Sequence, residues 1–123
     1  DLEAAQQPAL FEHNGNRIAF VGCNPVGPAF AWAGADKPGS RPCDAGFAAQ
    51  IAELAAGGYL VIATLQYNEF YHYAATAQQK ADFAELVAAG ATAVLSKPFT
   101  LSEFLGQLSA APPAAVPHSS KVA

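Results

Sequence analysis

The chain has 123 residues, of which 52% are hydrophobic, and carries a formal net charge of −4 at pH 7. The length suits one domain, and the acidic balance without a run of Lys or Arg excludes nucleic acid and anionic membrane as partners, since both need concentrated positive charge. No apolar run approaches the roughly 18–20 residues that cross a bilayer, so no membrane span is expected.

The chain opens at Asp1 without a signal-peptide pattern. Its numbering is therefore expected to begin after processing or within a longer precursor. Much of the apolar fraction is alanine, which predicts a thin core because alanine buries little area.

Residues 1–8 read as a loose, flexible end. Two apolar segments follow, Ala9–His13 and Arg17–Val21, separated by Asn14-Gly15. Asn-Gly at this place predicts a hairpin, because both residues tolerate positive φ. From Gly22 to Pro42 the chain is rich in Gly and Pro and carries Phe30 and Trp32. It reads as a long loop lying against the body through its aromatics.

Asp44 is placed to cap a helix running to Ala56, with Phe47, Ile51 and Leu54 on one face. Gly57-Gly58 ends it. Tyr59–Thr64 reads as a strand buried on both faces. Gln66–Ala75 is an aromatic-rich loop.

Thr76 and Gln79 form a capping-box pair, which opens a helix with Phe83, Leu86 and Val87 inward. Gly90 stops that helix, and Ala91–Leu95 is the next strand. Thr100 and Glu103 form a second capping box, with Leu101, Phe104, Leu105 and Leu108 facing the core. The tail 111–123, with Pro112, Pro113 and Pro117, reads as flexible. Strands alternating with helices predict an α/β fold over residues 9–110: a mostly parallel sheet flanked by helices, with an N-terminal β-hairpin.

The two cysteines, Cys23 and Cys43, allow two readings. They are small buried hydrophobes, or they form a disulfide that closes the intervening loop, worth about 3 kcal/mol by loop entropy. Their spacing, with three histidines in the chain, makes no zinc signature.

Ligands of open parallel sheets bind beyond the carboxyl ends of the strands. Three segments fall there: Gly22-Cys23-Asn24-Pro25, Gln66–Tyr73, and Ser96-Lys97-Pro98-Phe99. Glu69 and His72, three residues apart, are the candidate catalytic pair, either acid–base partners or metal ligands. The plainer reading is a surface Glu beside a partly packed His, and no convincing third metal ligand accompanies them. Asn24, Gln66, Tyr67 and Lys97 are the candidate substrate-binding residues. Lys97 fits a phosphate or carboxylate contact, or simply a solvated turn. No Gly-x-Gly-x-x-Gly, Walker loop or Gly-x-Ser-x-Gly elbow is present.

Two stretches resemble the CapA family of capsule (poly-γ-glutamate) biosynthesis proteins. One is Asn14-Gly15-Asn16-Arg17-Ile18-Ala19-Phe20-Val21-Gly22. The other runs from Ile51 to Thr92 and includes Val61–Phe70, Gln78-Gln79 and Ala88-Ala89-Gly90-Ala91. The resemblance implies a metallophosphoesterase-like fold, a bacterial cell-envelope or extracellular location, an anionic polymer or phosphoester as partner, and a divalent metal ion as the cofactor to look for.

By the same resemblance Glu69 matches the glutamate of a His-Trp-Gly-x-Glu motif, Tyr67 stands at its tryptophan and Gln66 at its histidine. A glutamine amide neither transfers protons nor binds metal as imidazole does. The family's Gly-Asp strand end does not precede residue 9. Its His-rich loop is replaced by Leu95-Ser96-Lys97-Pro98-Phe99. The expectation is a fragment or divergent member, impaired in catalysis, whose partner could be the remainder of a longer chain.

The stretch Ala89–Phe104 also resembles the closing strand, lysine and helix of a response-regulator receiver domain. This implies a second possibility: a non-catalytic, flavodoxin-like binding module, cytoplasmic, with Thr64 and Lys97 near a phosphoryl group. No acidic pair follows the first core strand, so a receiver's phosphoacceptor site is missing.

Overall fold

The computed structural model describes residues 1–68, 74–92 and 100–110. Residues 1–8, read as a loose end, contain a short helix α1 (Leu2–Gln6). Asp1 caps it, accepting the Ala4 N–H at 2.9 Å. The Leu2 N–H donates to the Gly34 carbonyl at 2.9 Å, and Gln50 Nε2 donates to the Gln6 carbonyl at 2.8 Å. Both ends of α1 are thus tied to segments far along the chain, which composition cannot indicate. The tail 111–123 lies outside the described residues.

Strand β1 (Ala9–His13) turns through Asn14 and Gly15 into β2 (Asn16–Cys23). Asn14 has φ 51° and Gly15 φ 78°, the left-handed pair that a two-residue hairpin turn requires. β2 then pairs in parallel with β3 (Leu60–Leu65), from Ile18↔Leu60 to Cys23↔Leu65. The sheet order is β1-β2-β3.

The sheet is therefore α/β but mixed, not mostly parallel. A two-residue turn can only return an antiparallel neighbour, and among the described residues the β2–α2–β3 connection supplies the one parallel pair. Of the strand expected at 91–95, only Ala91 and Thr92 are described. The Thr92 N–H donates to the Val61 carbonyl at 3.3 Å, and residues 93–95 lie outside the described residues.

Helix α2 (Ala45–Ala56) and helix α3 (Ala77–Ala89) make the apolar layer. Phe47, Ile51 and Leu86 meet Val21, Cys23, Val61 and Ala91 in one cluster. Ala19, Val21 and Cys23 alternate along β2 and lie on the same face, with Val61 beside Ala19. Among the described residues the opposite face is less well covered: Phe11 is 54% exposed, Phe20 39%. Those two rings meet edge to face at 5.7 Å. The expectation that residues 59–64 are buried on both faces fails here, because in β3 only Val61 is fully covered. An apolar run does not say how many layers will cover it.

Local signals work well at the helix ends. Thr76 and Gln79 form the reciprocal capping box of α3. At its other end Gly90 has φ 118°, and a Cβ there would stand 2.7 Å from the Ala55 Cβ. Glycine both permits the turn and lets α3 approach α2. Helix α4 (Leu101–Ala110) also forms behind its capping pair: the Thr100 N–H donates to Glu103 Oε2 at 2.6 Å.

The inward faces of α3 and α4 are less well anticipated. Val87, Leu101 and Leu105 are 41%, 71% and 50% exposed. Capping depends on residues a turn apart, whereas burial needs a neighbour in space. The order α1, β1, β2, α2, β3, α3, α4 places the ends of β2 and β3 beside the start of α2.

Candidate functional site

The β2–α2 excursion is built on its own hydrogen bonds. Asn24 Oδ1 accepts from the N–H groups of Val26 and Gly27 at 3.1 and 3.2 Å, an Asx-type turn. The Asn24 carbonyl accepts from Trp32 Nε1 at 3.0 Å. The Asn24 N–H donates to the Arg41 carbonyl at 2.8 Å, and Ala33 and Ser40 are joined at 2.8 Å. Trp32 packs into this loop as expected of an aromatic anchor, but Phe30 does not: it is 80% exposed on a single 3-10 turn, Ala29–Ala31.

Arg41 fastens the loop to α2. It is buried, with its guanidinium 5.0 Å from the Phe47 ring centroid. Nη1 donates to Gln50 Oε1 at 2.5 Å, and Nη2 to Asp44 Oδ1 at 3.3 Å. Asp44 stands at the N-cap position of α2, where its carbonyl accepts from the Phe47 N–H at 3.0 Å, but its side chain caps no helix N–H and its carboxylate oxygen lies on Arg41 instead. Cys23 and Cys43 form a disulfide with Cα atoms 5.0 Å apart.

These elements border a cleft of about 390 Å³ at the carboxyl ends of β2 and β3. Its walls are the Cys23–Cys43 bridge and Asp44 on one side, and Leu65, Tyr67, Asp82 and Glu85 on the other. Of the described sequence candidates Tyr67 lines this cleft, and Asn24 and Gln66 directly follow β2 and β3 at the same strand ends.

Gln66 leaves β3 at this edge. Its N–H donates to the Cys23 carbonyl at 3.1 Å, extending the parallel ladder, and its exposed side-chain amide donates to the Tyr67 carbonyl. Tyr67 lies in the cleft with its ring 6.3 Å from that of Phe83. Asn24 sits at the end of β2, but its side-chain oxygen is occupied by the loop. Glu69, His72 and Lys97 lie outside the described residues, so the pairing of Glu69 with His72 is not assigned a geometry.

Sequence reasoning missed three cleft carboxylates, Asp44 as a wall residue and Asp82 and Glu85 on α3. One signal was available: Gln78 and Asp82 are an i,i+4 helix pair, and Gln78 Nε2 donates to Asp82 Oδ1 at 2.7 Å. The other contact of Asp82 has no sequence signature. The Tyr67 hydroxyl donates to Asp82 Oδ2 from fifteen residues away.

Burial, then the Asp82 hydrogen bond and its charge, push the Tyr67 hydroxyl well above the ordinary tyrosine range. The sign follows from proton binding. A folded-state value raised above the unfolded one near 10 contributes stability that is whole below pH 10 and lost as pH rises further. In a titration followed at 295 nm, Tyr67 is expected to ionise late. Asp82→Asn should return that phase toward the ordinary range. An unchanged late phase in Asp82→Asn would show that burial alone sets it.

Among the described residues no group of three or more His, Cys, Asp or Glu side chains is placed to hold a metal ion. Asp82 already accepts from Tyr67 and Gln78, and Asp44 from Arg41. The described donors therefore do not fit the divalent ion that the CapA resemblance implies. No helix of the described chain is long and apolar enough to cross a membrane. No family model matches the chain, and neither a curated protein nor a solved structure matches it.

Proposed function

We propose that this chain is a divergent CapA-like domain of the cell envelope that binds an envelope polymer or phosphoester at the strand-end cleft, with weakened hydrolytic chemistry. One observation carries the reading: the two stretches that bear the resemblance are neighbours in space. Asn14–Gly22 holds the hairpin turn and most of β2, Val61–Leu65 of the second stretch lies in β3, and the two strands run in parallel register to Cys23↔Leu65. Motif pieces that are far apart in sequence thus end at one edge, where Gln66 and Tyr67 emerge.

The chemistry of that edge suits binding. Tyr67 offers an aromatic face and Gln66 an amide, while the carboxylates of Asp44, Asp82 and Glu85 can accept hydrogen bonds from the amide or hydroxyl groups of a polymer. The neutral amide or hydroxyl segments of a polymer fit such walls better than its carboxylates. Gln66 in place of histidine removes the imidazole that would move a proton. A non-catalytic binding module would use the same cleft and differ only in turning over no phosphoester.

The test is thermal unfolding with poly-γ-glutamate and with a phosphoester, each with and without manganese, zinc or magnesium. Ligand at a hundredfold excess over its Kd stabilises the folded state by about 2.7 kcal/mol, which raises the midpoint. Glu69→Gln is expected to diminish that rise. A midpoint that none of these additions moves would remove the reading.

A further inference from the structure

We propose that Cys43 is a thiol-exchange site, through which a dithiol reversibly opens the Cys23–Cys43 bridge at the rim of the cleft while the domain stays folded. Three observations meet here. The first is asymmetric access: Cys23 is 6% exposed at the end of β2, whereas Cys43 is exposed just before α2. Accessible bridges are the labile ones, and exchange rates depend on which sulfur can be reached.

The second is redundancy. The loop spanned by the bridge is held by bonds that do not involve sulfur: Asn24 to Arg41, Ala33 to Ser40, Ser40 to Ala31, and Leu2 to Gly34. Arg41 adds its link to Gln50. Asn24 and Pro42, the residues adjoining the two cysteines, are themselves bridge partners. Cutting the disulfide therefore leaves both thiols opposite one another, ready to re-form it.

The third is placement. Both cysteines line the cleft, so reduction unlinks one wall from the end of β2. That consequence for binding rests on the cleft reading given above, while the exchange itself does not.

The exchange balances as two displacements. A thiolate of the dithiol attacks Cys43 Sγ; the S–S bond breaks and its electron pair leaves on Cys23 sulfur, which takes a proton from water. The dithiol's second thiol, deprotonated, then attacks its own sulfur in the mixed disulfide and releases the Cys43 thiolate, which is protonated in turn. The bridge has gained two electrons and two protons, and the dithiol has become a disulfide. Asp44 beside Cys43 and the carboxylates of Asp82 and Glu85 in the same cleft disfavour thiols that carry further negative charge.

The experiment treats the oxidised full chain with dithiothreitol or glutathione in native buffer, quenches by alkylation and maps the labelled cysteines. Trp32, the only tryptophan, reports on the loop. Both thiols should be released with Trp32 emission and far-UV circular dichroism retained, and oxidised glutathione should restore the bridge. Dithiothreitol should outpace glutathione by more than it does on an exposed model disulfide. In Cys23→Ala, oxidised glutathione should label Cys43 rapidly; in Cys43→Ala, Cys23 should need denaturant.

Reduction only at denaturant concentrations that unfold the chain, loss of the native Trp32 emission, or equal rates of reaction with oxidised glutathione for Cys43 in Cys23→Ala and Cys23 in Cys43→Ala would overturn the proposal. The polymer-induced midpoint shift is read in both redox states, with its loss expected on reduction. A shift absent from both states, with exchange intact, would sink the cleft reading alone. A shift unaltered by reduction would refute the control of binding.

Discussion

Ile51→Ala is expected to lower the unfolding free energy by about 2–5 kcal/mol, the range for removing a large aliphatic side chain from a packed core. Ile51 is fully buried and sits at the centre of the cluster formed by Phe47, Val21, Val61 and Leu86. It links α2 to the sheet and lies where Gly90 brings α3 close, since a Cβ on Gly90 would also come 3.9 Å from the Ile51 carbonyl. The site has little means to collapse, because β2 and β3 are fixed by their ladder. In a domain whose total stability is of order 5–15 kcal/mol, that loss is a large share. Urea unfolding measures it as a fall in midpoint at nearly constant slope. Val87→Ala, at a side chain 41% exposed on α3, should cost a small fraction of this. Equal losses at the two positions would mean that the core is not where the burial pattern puts it.

The double variant Cys23→Ala/Cys43→Ala is expected to lose about 3 kcal/mol, the entropy that a loop of this length regains in the unfolded chain. The bridge joins residues separated by 20 positions. The effect acts on the unfolded state, so the folded variant should keep the Trp32 environment and the Arg41 clamp. Guanidinium unfolding of the oxidised chain and the double variant gives the difference. A far greater loss, with the variant unfolded in buffer, would show that the loop's own hydrogen bonds cannot hold it. A negligible loss would show that the denatured chain is already compact around this loop.

Arg41 illustrates why that loop is ordered at all. A buried guanidinium is costly to desolvate, yet this one meets Gln50, Asp44 and the Phe47 face. Gln50 also reaches back to Gln6. One side chain on α2 thereby connects the clamp to α1, and an excursion rich in Gly and Pro acquires a fixed course. Its exposed Phe30 is the part that this network does not hold.

Elements whose cause is local could be read from the amino-acid order alone. Asn14-Gly15 demands positive φ twice and therefore makes a hairpin; Thr76 with Gln79, and Thr100 with Glu103, satisfy helix N–H groups within one turn; Gly90 stops α3. Alternation of strand and helix was enough for an α/β fold, and for placing Asn24, Gln66 and Tyr67 just beyond the ends of β2 and β3. The tertiary structure decided whatever depends on a partner distant in the chain. It made the sheet mixed, covered one face and left Phe11 and Phe20 open, tied α1 to Gly34 and Gln50, and set Asp82 against Tyr67. It also chose between the two readings of Cys23 and Cys43. Backbone turns and caps are settled by residues within about four positions, whose interaction energies any sequence displays. Burial, ion pairing and cleft shape arise from close packing between segments, and neither propensity nor spacing encodes which segments will meet.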